Sequence, residues 1–72
     1  MIMIEFELNG APSQIEAGQT IADLIAREGL ENRRIAVEVN LEIIPRSQHA
    51  TRGITTGDRI EIVHAIGGGQ ET

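Results

Sequence analysis

Ile2, Ile4, Phe6 and Leu8 alternate with Met3, Glu5 and Glu7, and Asn9-Gly10 follows them at once. Alternation with a period of two puts the four apolar side chains on one face of a strand. Asn-Gly supplies two residues that tolerate positive φ, as a tight hairpin turn requires. The chain is therefore expected to open as a β-hairpin with one apolar face to cover. Ser13 to Glu16, with Ile15 pointing inward, reads as the returning strand. Pro12 has no N–H to donate, which predicts a place at the sheet edge.

The cover comes next. Thr20 precedes Asp23 by three residues, a variant of the capping box that starts a helix. Ile21, Leu24 and Ile25 fall at i, i+3 and i+4 and make one apolar stripe, while Gly29 stands where a left-handed cap ends a helix. A helix of about ten residues is marginal alone, so it must be held by packing on the sheet.

Beyond it, Ile35, Val37 and Val39 alternate with Ala36, Glu38 and Asn40 as a third strand. A turn or kink is expected near Asn40, with Leu41 to Ile44 extended and Pro45 closing that ladder. Arg46 to Gly53 is polar and without period, an irregular connection with room for one short helical turn. Thr56-Gly57-Asp58 signals a turn into a last strand over Arg59 to Ile66, with Ile60 and Ile62 inward and Glu61 outward. A hairpin, a helix and three further strands bury all their apolar positions only if the helix lies across one sheet face. The expected class is α+β, a roll in which the last strand lies beside the first and parallel to it. The boundary falls after residue 66, with the domain over 1–66 and a flexible glycine-rich tail over 67–72.

Composition excludes several functions. A single domain of 72 residues buries only about 60% of its unfolded surface, which leaves little room for a deep catalytic cleft. There is no cysteine, so neither a disulfide nor a thiolate nucleophile is available, which fits a cytoplasmic protein. The apolar runs are broken by Glu5, Glu7 and Asp23, and the start does not resemble a signal peptide, so no membrane role is expected. A formal net charge of -5 and one aromatic residue, Phe6, argue against nucleic acid as a partner. The basic residues are all arginine, so no lysine side chain can accept a conjugate. His49 and His64 lack a cysteine or serine at a motif spacing, and two histidines alone do not make a metal site. No catalytic residue, metal or cofactor is expected.

Gly67-Gly68-Gly69 follows the last strand without a polar spacer. Such a run has no side chain to pack and a high entropy cost to order. It is either a frayed terminus or a segment that passes where no Cβ fits. Val63, Ala65 and Ile66 stand just before it, and as apolar residues beside a tail they read equally as a partner-docking patch or as a second layer of core.

The glycine tail after Arg59 to Ile66, the Gly57-Asp58 turn, Ala17-Gly18-Gln19-Thr20 before the helix, and Val39-Asn40 through Ile44-Pro45-Arg46 together resemble the ThiS sulfur carriers of thiamine biosynthesis, from about residue 2 to Gly69. That resemblance implies the ubiquitin-like β-grasp fold, a mixed sheet with one helix across one face. It also implies a handled protein rather than an enzyme. An ATP-dependent activating enzyme of the ubiquitin-activating type would adenylate the last glycine's carboxylate, a sulfur donor protein would convert the adenylate to a thiocarboxylate, and thiazole synthase would accept the sulfur. The family ends at its glycines, whereas here Gln70-Glu71-Thr72 follow and lock the Gly69 carbonyl in an amide. Gly69 is the expected sulfur-carrying residue after trimming, with Gly67 and Gly68 as its tail. Three alternatives remain open: the small subunit of molybdopterin synthase, a β-grasp binding module without sulfur chemistry, and a small hydrolase built on His49 or His64.

Overall fold

The computed structural model describes residues 1–65. Its elements run β1 (Met3–Leu8), β2 (Ala11–Glu16), α1 (Ile21–Arg27), β3 (Ile35–Val39), β4 (Glu42–Ile44), a 3₁₀ turn (Arg46–Gln48) and β5 (Arg59–His64). The strands form one sheet in the order β2-β1-β5-β3-β4, so the last strand is central. It runs parallel to β1, as expected, and antiparallel to β3.

The first hairpin begins as expected, with Asn9 and Gly10 at φ 50 and 83. A two-residue turn brings Ala11 opposite Leu8, so β2 starts two residues before Ser13 and includes Pro12. Proline is tolerated because β2 is an edge strand. Thr20 and Asp23 form the reciprocal cap, the Thr20 N–H donating to Asp23 Oδ2 at 2.8 Å and the Asp23 N–H to Thr20 Oγ1 at 3.3 Å. The helix itself is seven residues long rather than ten, because its last turn is already part of the cap. There the Gly29 N–H donates to the Ala26 carbonyl and the Leu30 N–H to the Ile25 carbonyl, with Gly29 at φ 75. This is a Schellman ending, and it turns Leu30 back onto the core.

Ile21, Leu24 and Ile25 are buried against Phe6, Ile15, Val37, Val39, Ile44, Ile54, Ile60 and Ile62. Full burial of an aliphatic side chain contributes about 1.5–3 kcal/mol, enough to hold a helix too short to persist alone. Arg27 fastens the helix end to the edge strand, donating to the Ser13 Oγ at 3.0 Å and to the Gln14 carbonyl at 2.5 Å.

Leu41 belongs to a turn rather than to a strand. Asn40 and Leu41 have φ 53 and 71, the pattern of a two-residue hairpin whose twist matches its strands, and β4 starts only at Glu42. The turn is pinned from the other end of the chain. Asn40 Nδ2 donates to Asp58 Oδ1 at 3.0 Å, Asn40 Oδ1 accepts from the Arg59 N–H at 2.9 Å, and Asp58 Oδ2 accepts from the Thr55 N–H at 2.9 Å. Buried Asp58 thus ties the β3–β4 turn to the start of β5. The 46–53 connection contains the single short helical turn foreseen for it, closed against the helix start by a bridge between Thr20 and Gly53.

Candidate functional site

The helix covers one face of the sheet and leaves the other open. On the open face β5 presents Arg59, Glu61 and Val63, with Ala65 just after it, and β3 presents Ala36 and Glu38, since these alternate with the buried Ile60, Ile62, Val37 and Val39. Val63 is 55% exposed and Ala65 is exposed. Of the two readings of these residues, a second core layer is therefore removed. Sequence alone could not decide this, because an apolar residue at an outward position looks the same whether or not a second layer covers it.

The end of β5 is held on both sides. Towards β3, the Ala65 N–H donates to the Arg34 carbonyl at 2.9 Å. Towards β1, the partner strand has already turned away, and the Asn9 side chain takes its place, Oδ1 accepting from the Ile62 N–H at 2.8 Å. The chain is thus held as far as Ala65. Ile66, Gly67, Gly68 and Gly69, and with them the boundary after residue 66, lie outside the described residues. Asn9 and Arg34, which hold this end of the strand, were missed by sequence reading. Asn9 had been explained fully by the turn, and nothing local marks its carbonyl as the partner of a strand 53 residues away.

The histidines are not brought together with a nucleophile. His49 is buried, and its Nε2 lies 3.0 Å from the Ile44 carbonyl, which can only accept, so this nitrogen carries the proton and ties the 3₁₀ turn to β4. His64 is exposed at the end of β5. Two depressions indent the described surface. One of about 390 Å³ is lined by Glu5, Phe6, Glu7, Gly10, Pro12 and Gly57, and one of about 310 Å³ includes Ile25, Leu30, Ile35, Arg46 and His49. Neither lining contains a serine, threonine or cysteine for a base to activate. Among the described residues no group of three or more His, Asp or Glu could hold a metal ion. No described helix is long and apolar enough to cross a membrane.

The arrangement offers a strand that ends in the open, an exposed apolar strip beside it and a glycine run directly after it. The ThiS family matches residues 6–69, a span that includes the three glycines. The sulfur carrier protein ThiS of Bacillus subtilis is 46% identical over 50 residues, covering 69% of this chain and 76% of that one. A thiazole synthase of Paramagnetospirillum magneticum is 41% identical over 64 residues, covering 89% of this chain. The chain spans only 20% of the length of that synthase. The crystal structure of the thiamine biosynthesis protein ThiS from Geobacter metallireducens superposes with a TM-score of 0.78 at 23% identity, over 92% of this chain and 100% of that one. Its likeness shows the fold, the ubiquitin-like β-grasp expected above. By the span of the family match and the identity to the Bacillus carrier, the chain belongs to the ThiS family of sulfur carriers in thiamine biosynthesis.

Proposed function

We propose that the chain carries sulfur as a thiocarboxylate on Gly69 and acts as a substrate of other proteins rather than as an enzyme. The observation that supports this most is the placing of β5. The central strand of the sheet ends at His64, Ala65 after it is still hydrogen-bonded to Arg34, and Ile66-Gly67-Gly68-Gly69 come next in the sequence. A rigid body with a side-chain-free extension suits delivery of a terminal carboxyl into a channel too narrow for a Cβ.

The chemistry needs little from the carrier. A carboxylate is a poor electrophile, so an ATP-dependent activating enzyme must first transfer AMP to it with release of pyrophosphate. A hydrosulfide equivalent from a sulfur donor protein then displaces AMP and leaves the thiocarboxylate. Thiazole synthase is the proposed acceptor, and the synthase relative supports it, since a segment like this chain makes up about one fifth of that protein. Joining two partners in one chain raises their effective concentration. The carrier and its ATP-using enzyme would meet in the cytoplasm. Val63 and Ala65, with Ile66 beyond the described residues, form the proposed docking patch beside the tail.

Gly69 is followed by Gln70, and a carbonyl in an amide cannot be adenylated. Hydrolysis of the Gly69–Gln70 bond must come first, water adding across it to free the Gly69 carboxylate and the Gln70 amine. Intact-mass spectrometry tests the whole sequence. A chain ending at Gly69, given its own genome's activating enzyme, ATP and a sulfur source, is expected to gain the mass difference between sulfur and oxygen, while the chain through Thr72 stays unchanged. Failure of the shortened chain to take up sulfur defeats the carrier reading and leaves the binding module. Uptake by the untrimmed chain defeats Gly69 as the acceptor.

A further inference from the structure

Asn9-Gly10 is the one place in the chain where asparagine precedes glycine; Asn32 is followed by Arg33 and Asn40 by Leu41. The pair carries a chemistry of its own. Glycine leaves the amide nitrogen after Asn9 uncrowded, Gly10 is exposed, and a Cβ built on it would meet nothing within 4 Å. Attack of that nitrogen on the Asn9 side-chain carbon closes a cyclic imide. The Gly10 N to Asn9 Cγ bond forms, the Cγ–Nδ2 bond breaks, and ammonia leaves with the proton that the Gly10 nitrogen gives up. Water then opens the ring at either carbonyl, leaving aspartate or isoaspartate.

The folded hairpin forbids the first step. Asn9 at φ 50 and Gly10 at φ 83 fit the primed two-residue turn, in which the first residue has ψ of about +30°. That value turns the Gly10 nitrogen to the far side of the Asn9 Cα–C bond from Cβ, whereas ring closure needs the two eclipsed. Asn9 is also held twice by β5, its N–H donating to the Ile60 carbonyl at 2.9 Å and its Oδ1 accepting from the Ile62 N–H at 2.8 Å. Rotation that brings the nitrogen to the side chain breaks the pairing of Leu8 with Ala11 or frees Asn9 from β5.

We propose that Asn9-Gly10 is a self-modification site that the fold keeps closed, and that it converts only when the first hairpin comes away from β5. The two products differ in consequence. Aspartate keeps an acceptor for the Ile62 N–H. Isoaspartate routes the main chain through the former side chain and adds a carbon to it, so the two-residue turn no longer brings Leu8 opposite Ala11. A chain that takes this branch cannot close the hairpin again, and its opening becomes irreversible. This chemistry is separate from the tail and from sulfur transfer.

The test holds the full chain at mildly alkaline pH, folded in buffer and unfolded in guanidinium chloride, and follows the asparagines by peptide mapping with isoaspartate detection. Unfolded, Asn9 is expected to convert well ahead of Asn32 and Asn40. Folded, it is expected to convert at least about tenfold more slowly, because a reaction that requires opening scales with the open population. Val37→Ala removes volume from a fully buried position, so it should speed conversion in buffer and leave the rate in denaturant unchanged. If that variant does not fold, its rate in buffer should equal its rate in denaturant. Equal rates for the unsubstituted chain folded and unfolded overturn the closed site, and a stable Asn9 in denaturant overturns the site altogether. A Val37→Ala chain that is less stable yet converts no faster in buffer overturns opening as the route.

Discussion

Asn9 and Ile62 are 53 residues apart in sequence, and the side-chain carbonyl of one accepts the backbone N–H of the other at 2.8 Å. The contact lets β5 run past the end of β1 without leaving the Ile62 amide unpaired. Asn9 also makes the turn, at φ 50. Asn9→Gly keeps the turn and loses the acceptor. It is expected to cost about 1–3 kcal/mol, the range for an orphaned, partly buried donor, and to speed hydrogen exchange at the Ile62 amide. Asn9→Asp keeps both properties and should remain near the stability of the unsubstituted chain. Equal exchange rates at Ile62 in all three would show that water satisfies this amide and that Asn9 serves only the turn.

Leu41 holds a left-handed conformation, φ 71, with 78% of its surface exposed. A side chain in that region is strained, and here it gains almost no burial in return. Leu41→Gly creates an Asn-Gly turn of the kind at Asn9-Gly10 and is expected to raise stability by roughly 1 kcal/mol in denaturant unfolding. A loss of stability would mean that Leu41 packs on the domain.

Val63 allows the proposed docking patch to be tested apart from folding. Because it is exposed, Val63→Asp should lower stability by no more than about 1 kcal/mol, the span of strand propensity. Association with the activating enzyme or with thiazole synthase, measured by calorimetry, should weaken by far more than the melting point shifts. If neither changes, the docking patch lies on another face.

The tail should show the reverse of a core position. Gly68→Val, in a chain ending at Gly69, is expected to leave the thermal midpoint unchanged and to abolish pyrophosphate release in the presence of the activating enzyme. Release at the unsubstituted rate would remove the narrow-channel argument for the three glycines.

The local signals in this chain were those that a few neighbouring residues can carry. Alternation over Ile4 to Leu8, Asn9-Gly10, the Thr20–Asp23 cap and Gly29 act within one strand, one turn or one helix end, and each was legible because its partners lie within five residues; Ile2, expected inward with them, precedes β1 and is 71% exposed. The class of fold followed from them, since so few elements bury their apolar faces in only one economical way. The glycine run was legible as a feature because glycine's backbone freedom does not depend on context.

Tertiary structure decided what depends on residues far apart in sequence. Leu41 was read as strand because its apolar side chain suits one, and only the ties from Asn40 to Asp58 and Arg59 force it into the turn. Val63 and Ala65 could be core or surface until the single helix was seen to cover the other face. Asn9 and Arg34 become partners of the last strand through the register of β5 against β1 and β3, and register is set by the packing of the whole sheet rather than by any one strand.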